Sequence, residues 1–416
     1  MRLYKQDCRN KKSLLFPAGS AIIFVTIERG IRMKRFISIF AALALCLCLG
    51  LPAAAADAGS ANLQFKPDGT FKIIHVTDTQ DFLLSCAITQ GFLYDLAKEE
   101  KPDLFVLTGD NISSGAVKNF PKFLEKLLVR ASVNNLMRAF DRIYRDFGIP
   151  VTMVFGNHDN ECGPDKVSRA EQFAMYAAHK SFIGYYIDAA DAGTDDEQGQ
   201  HYGTHNLTVK NSAGTAPAFN LWLFDSGSYD PAGGYSHVQT PQIDWFNQRN
   251  GELNLPSIAF QHIIVPEIFA PGVLTPERTL PPGTVGELRE PPCPGRHNDG
   301  QYAALSAGGV LALFVGHDHV NTYELHLPGT DLINSPCTGF GSYGDLDLRG
   351  ARVITLDEKD LSAYETEVVT FRDFYPQNTL RGARLEMYQS MSTAATLLDW
   401  ISFKPLLWLL GLFNCA

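Results

Sequence analysis

Five short apolar runs in this chain each end in side chains that bind metal ions or carry protons. They read FKIIHVTD, DLFVLTGD, VTMVFGNHD, PSIAFQH and VLALFVGHDH, at residues 71–78, 103–110, 151–159, 256–262 and 310–319. Short runs of Val, Ile, Leu and Phe read as buried strands. The polar residues at their ends are Asp78, with Gln80 two further on; Asp110 and Asn111; Asn157, His158 and Asp159; His262; and His317 with His319. In the last run the two histidines flank one aspartate, and side chains two apart share a face in extended chain. Taken singly, a terminal Asp is a cap and a lone His a core residue. All five in the same relative place imply a shared site, because sites in open α/β sheets assemble at the carboxyl ends of strands. Two carboxylates, an amide and three imidazoles suit two divalent transition metals.

The same runs set the fold class. Helical stretches around 84–99 and 118–146 separate the first three strands, which predicts parallel strands with helical cover. Later strands are FNLWLFDSG, PSIAFQH, VLALFVGHDH, DLINSP and ARVITLD, with helical stretches near 240–249 and 300–308. The closing part has short strands and few helices and reads as antiparallel. The prediction is an α/β domain over 62–370 built from two packed, mixed β-sheets flanked by helices. Long irregular segments at 160–202, with the acidic run DAADAGTDDEQ, and at 266–299, rich in Pro and Gly, interrupt it. Long loops on such a scaffold line sites; for the acidic run a solvated surface is the simpler expectation.

Composition bounds the rest. With 45% hydrophobic and 19% charged residues among 416, the chain is globular. From Met33 it reads MKRFISIFAALALCLCLGLPAAAA, a basic start, an apolar stretch and small residues, which is the pattern of a secretory signal peptide over 33–56. Residues 1–32 then read as an extension upstream of a better start. Residues 1–56 hold nine of the 35 basic and two of the 45 acidic residues, so the net charge falls from −10 to −17 without them. Such a surface repels nucleic acid and anionic membrane. Export leads us to expect a protein secreted or held in a bacterial cell envelope. The cysteines after the signal, Cys86, Cys162, Cys293, Cys337 and Cys415, show no C-x-x-C pair. One disulfide, Cys162–Cys293, is the pairing expected. The tail, 371–416, is apolar but carries Asp399, Lys404 and Pro405, so it reads as a packed tail or an interfacial membrane contact and makes a poor spanning helix.

The order D-x-Q, GDN, GNHD, H, GHDH over residues 71–345 resembles the calcineurin-like metallophosphoesterases. LWLFDSGSY with TPQIDWF, QHIIVPE, NDGQYAAL, GHDHVNTYE and PCTGFGSYG resemble the branch of purple-acid-phosphatase-like phosphatases and their bacterial relatives. The resemblance implies a four-layer sandwich. It implies that Asp110 bridges two metals, that Asp78 and His319 hold the first, and that Asn157, His262 and His317 hold the second. His158 would bind phosphate oxygens or protonate the leaving group, with Asp159 orienting it and Asn111 behind the ligands. The implied reaction is phosphate-ester hydrolysis, monoester favoured, by a hydroxide that two metals about 3.5–4 Å apart activate.

Two departures matter. The family's first motif has a histidine where this chain has Gln80, whose carbonyl is a weaker and harder ligand; of the two ions expected, drawn from Mn, Fe, Zn or Mg, the first is then held more loosely or shifted towards Mn, Mg or Fe. Asp81, or water, are the alternatives at that position. GDNISSG lacks the tyrosine that purple acid phosphatases give to ferric iron, so no purple colour is expected. Of the remaining histidines, His75 reads as core, and His201, His205 and His237 as near loops. Arg296 and His297 precede a helix start that suits a phosphate. Substrates expected are phosphate-ester small molecules or phosphoproteins. A phosphodiesterase or nucleotidase, and a non-catalytic binding protein, remain the alternatives.

Overall fold

The computed structural model describes residues 62–80, 87–118, 120–162, 167–185 and 203–392. Its strands are β1 (Thr70–Val76), β2 (Leu104–Thr108), β3 (Val151–Val154), β4 (His205–Lys210), β5 (Pro217–Leu223), β6 (Ser257–Phe260), β7 (Val310–Val315), β8 (Glu324–Leu325), β9 (Asp331–Asn334), β10 (Gly350–Asp357) and β11 (Asp360–Thr370). The helices are α1 (Ala87–Glu100), α2 (Lys122–Phe147), α3 (Arg169–Ala177), α4 (Thr240–Leu253), α5 (Gln301–Ala307), α6 (Phe371–Phe374) and α7 (Leu380–Ser392).

Strand alternation builds the layers. β1 sends Phe71 and Ile73 to one face and Ile74 and Val76 to the other; β2 splits Leu104 and Val106 from Phe105 and Leu107 in the same way. The first set meets Phe219, Leu221, Ile258, Phe260, Ala312 and Phe314 of β5, β6 and β7 in the interior between two sheets. The second set packs under α1 and α2, where Leu128, Val133, Leu136, Phe140 and Ile143 recur at helical spacing. Trp222, Ala259 and Leu313 face outward from the other sheet onto Phe246 of α4 and Leu305 of α5. The result is helix, sheet, sheet, helix, with sheet orders β11-β10-β1-β2-β3 and β4-β5-β6-β7-β9-β8.

β1, β2 and β3 run parallel, as do β5, β6, β7 and β9. The closing part is therefore only partly antiparallel. β10 pairs antiparallel with β1 and β11, and β8 with β9, but β9 joins β7 in parallel. The packed body also runs past residue 370. Phe371, Tyr375, Leu385 and Tyr388 are buried in the cluster under α1, and Phe371 stacks on Phe92 at 4.0 Å.

Two further expectations need correction. No disulfide joins Cys162 to Cys293: Cys162 is buried, while Cys293 is an exposed free thiol. His205 lies on β4, fully buried, where Thr152 and the Gly203 carbonyl satisfy its ring. Residues 1–56, the acidic run, Asp81, His201 and the tail beyond 392 lie outside the described residues. Among those described, no helix is long and apolar enough to cross a membrane.

Candidate metal centre

The carboxyl ends of β1, β2, β3, β6 and β7 meet at one edge of the sandwich and deliver Asp78, Asp110, Asn157, His262, and His317 with His319. Asp110 belongs to two ligand groups, one with His262 and His317, the other with Asp78 and His319. Within each group the ligand atoms lie within 4.8 Å of one another, and every member is buried. His262 Nε2 is 3.3 Å from Asp110 Oδ2 and 3.2 Å from Asn157 Oδ1; His319 Nε2 is 3.2 Å from Asp78 Oδ1.

The ring tautomers follow from the opposite nitrogens. His262 Nδ1 donates to the Thr108 carbonyl at 2.9 Å, and His319 Nδ1 to the Tyr343 carbonyl at 2.8 Å. Each Nε2 then faces a carboxylate oxygen, an arrangement that a proton or a metal cation between the two satisfies. Asp78 Oδ1 and His317 Nε2 are buried atoms without a hydrogen-bond partner. A buried orphan of this kind marks a missing donor or ion. These residues fit a pair of divalent cations.

Electrostatics point the same way. Burial would raise the Asp110 pKa, yet His262 foremost holds it well below the usual carboxylate range. Burial would lower His262, but Asp110 and Asp78 push it up to about 9. His319 likewise rises against its burial, through Asp78. His317 is pushed down to about 3 by burial and by His262, which leaves it a neutral imidazole, the form that binds metal.

The loops are bent to do this. Asp78, Gln80, Asp110 and His317 all have left-handed backbone, with φ of 52°, 42°, 48° and 70°. Each such conformation costs a non-glycine residue about 1–2 kcal/mol, and such outliers cluster at functional sites. The GHDH stretch is thus a turn rather than extended chain. His317 and His319 reach the same centre because the turn re-aims them, one to each ligand group. The motif glycines let the loops close. A Cβ on Gly109 would overlap the Gly156 backbone, and one on Gly316 would overlap Thr77 Oγ1.

Other expected site residues are placed as follows. Gln80 reaches the centre through its amide nitrogen, which donates to Asp110 Oδ2 at 2.9 Å, instead of offering its carbonyl. His158 sits at the rim, its side chain 37% exposed, with Nε2 3.9 Å from Asp110 Oδ2. Asp159 does not orient it. Asp159 is buried, accepts from the Ile112 and Gly156 amides at 3.0 and 2.8 Å, and is raised to about 7 by burial and Asp110. Those bonds pin the GDN loop to the GNHD loop. The partner of His158 is Glu161, at 2.9 Å from Nδ1. Asn111 donates to the Val154 carbonyl at 3.1 Å, a purely structural bond.

Sequence reasoning missed Glu161, Tyr229 and the pair Tyr343–Glu290. Tyr229 Oη accepts from Asn157 Nδ2 at 3.1 Å and donates to Glu161 at 2.8 Å. Tyr343 stacks on His319 at 4.2 Å and donates to Glu290 at 2.9 Å. No sequence signal marked the tyrosines: Tyr229 lies 72 residues from Asn157, Tyr343 lies 24 from His319, and their loops carry no period to place them. Asp318 turns away from the centre and accepts from the Cys293 amide at 3.2 Å. His75 bonds Thr108 and Ser335 between the sheets, as a core residue. Arg296 donates to the Gly233 carbonyl at 3.1 Å, and His297 pairs with Asp230 at 3.1 Å, so neither is aimed at a phosphate here. His237 is mostly buried and lies 3.1 Å from Asp299.

Comparison with known proteins gives the same centre a lineage. Two relatives from Arabidopsis thaliana bear the names "Probable inactive purple acid phosphatase 14" and "Probable inactive purple acid phosphatase 29". The first is 27% identical over 342 residues, 72% of this chain and 78% of the relative. The second is 28% identical over 363 residues, 77% of this chain and 84% of the relative. Among solved structures, a dimetal phosphatase from Danio rerio aligns with 72% of this chain and 99% of its own, at 14% identity and a TM-score of 0.44. The family model described as "Calcineurin-like phosphoesterase" matches residues 71–321, the span from the strand that ends in Asp78 to just beyond His319, and the chain belongs to that family.

Proposed function

We propose that the chain hydrolyses phosphate esters, monoesters in preference, with two divalent cations held by Asp78, Asp110, Asn157, His262, His317 and His319. One observation carries this. Asp110 is shared by two buried ligand groups, and each group contains a buried atom, Asp78 Oδ1 or His317 Nε2, without a hydrogen-bond partner. Two cations held by these residues would supply Lewis acidity to the phosphoryl oxygens and to the attacking water.

The chain's own side chains do the rest. A P–O bond forms from water as the bond to the ester oxygen breaks, and the departing oxygen needs a proton. His158 supplies it from the rim. Burial alone would lower its pKa, but Glu161 and Asp110 raise it above the usual imidazole value, which favours the protonated ring that a proton donor needs. Alcohol and phosphate leave, and the proton given up by the water returns to His158 or to solvent.

The test uses chain stripped of metal and reloaded with Mn²⁺, Fe²⁺, Zn²⁺ or Mg²⁺, offered p-nitrophenyl phosphate and its bis ester. Faster turnover of the monoester is expected; preference for the bis ester would make it a diesterase. The second reading, a non-catalytic binding protein, is favoured by Gln80, which gives Asp110 a hydrogen bond where the family has an imidazole. Tight ion uptake with neither ester cleaved by any of the four metals would establish it. Export to the cell envelope or beyond is proposed on the pattern of residues 33–56 alone, and a lipid contact on the apolar tail alone.

A further inference from the structure

We propose that Tyr229 and Glu161 form a positioning relay that fixes a metal ligand and the proton donor together. The inference rests on the hydrolase reading for its catalytic half only. Asn157 Nδ2 donates to Tyr229 Oη at 3.1 Å, Tyr229 donates to Glu161 Oε1 at 2.8 Å, and the same oxygen faces His158 Nδ1 at 2.9 Å.

Every bond in that chain has a direction. An amide that gives its nitrogen to Tyr229 must turn its oxygen the other way, and Asn157 Oδ1 indeed faces His262 Nε2 at 3.2 Å. An imidazole that gives Nδ1–H to Glu161 must turn Nε2 inward, toward Asp110. The relay therefore sets one ligand oxygen and one acid nitrogen at once.

Its anchors are independent of the centre. Glu161 is seated against Gly115, where a Cβ would overlap Glu161 Oε2. Ser114 holds the His158 carbonyl through both its amide, at 3.1 Å, and its hydroxyl, at 3.0 Å. Tyr229 follows Ser228, whose hydroxyl accepts at 2.7 Å from the buried Arg169, itself paired with Asp225. The relay thus ties the GNHD loop to the loop after β5, and neither end depends on Asp159.

Two variants of the full chain separate its halves. Partners behind metal ligands affect ion affinity by about 10–100-fold. Tyr229→Phe removes the acceptor for Asn157, so titration calorimetry is expected to show one of two ions bound at least about tenfold more weakly, with the other unchanged. Glu161→Gln is expected to keep both ions and an unchanged KM. Its kcat should fall less than about threefold for p-nitrophenyl phosphate, whose leaving group needs no proton. For glycerol 2-phosphate it should fall about 10²-fold, the lower end of what general acids supply.

Equal losses on the two esters would reduce Glu161 to a structural residue and overturn that half. Unchanged affinity for both ions in Tyr229→Phe overturns the other. Should the parent chain cleave neither ester, the hydrolase reading fails and the catalytic half with it, while the ion titration still decides the ligand half.

Discussion

Asp110 is the residue through which both ion sites pass. Its Oδ1 accepts from the His158 amide at 2.7 Å and its Oδ2 from Gln80, so the carboxylate shared by the two ligand groups is held in place by the protein itself. Asp110→Asn keeps its shape and loses the charge that offsets two cations. The expected result is loss of both ions, read as metal per chain by mass spectrometry after dialysis. His158→Ala should keep both ions and lower kcat by about 10²–10³-fold, within the range for a lost general acid. The ligand types were legible in the sequence because each closes an apolar run, and the fold brings all six together. What misled was adjacency. Asp159 follows His158 directly, but neighbours along a tight turn point apart, and the residue that meets the imidazole is three positions on. No rule of spacing could place Tyr229, 72 residues from Asn157.

At the level of elements, the strands were legible and the packing of α6 and α7 was not. Alternation along β1 and β2 sorts side chains between the interior and the helical layer, and that pattern is printed in the sequence. Residues 371–392 carry only the short α6 and the largely polar α7. Their few aromatic residues nonetheless finish the layer over α1. Phe371 is fully buried and stacked on Phe92. Phe371→Ala should cost about 3–5 kcal/mol of stability, the usual price of a buried aromatic truncated to a methyl, checked by urea unfolding. An unchanged midpoint would mean that α6 is an appendage. The parallel entry of β9 beside β7 is not legible in sequence, because a four-residue strand gives no sign of its direction.

For the whole molecule, ions and protons are the two levers. Ligands that bind only the folded state stabilise it by mass action, about 2.7 kcal/mol at 100 times Kd. Chelation should therefore lower Tm by roughly 5 °C or more in a domain of this size, reversibly on adding Mn²⁺ back. Protons act through buried neutral imidazole. Burial pushes His205 down to about 4. It stays uncharged in the fold while the unfolded chain takes up a proton below about pH 6.5. Its contribution, up to about 3 kcal/mol, is complete above pH 6.5 and is lost as pH falls toward 4. His205→Gln should flatten the stability profile between pH 6.5 and 4 by about one proton, measured by denaturant titration at several pH values.

The division of donors between the sheets has a consequence for how the protein matures. The oxygen donors Asp78, Asp110 and Asn157 follow β1, β2 and β3 in the earlier half of the chain, and the nitrogen donors His262, His317 and His319 follow β6 and β7 of the other sheet in the later half. A nascent polypeptide that has emerged only as far as β5 carries the oxygen half of the proposed cage and none of its imidazoles. On the proposed reading, a complete six-donor cage would form only once His319 has joined its seat, so loading would follow folding of the later half.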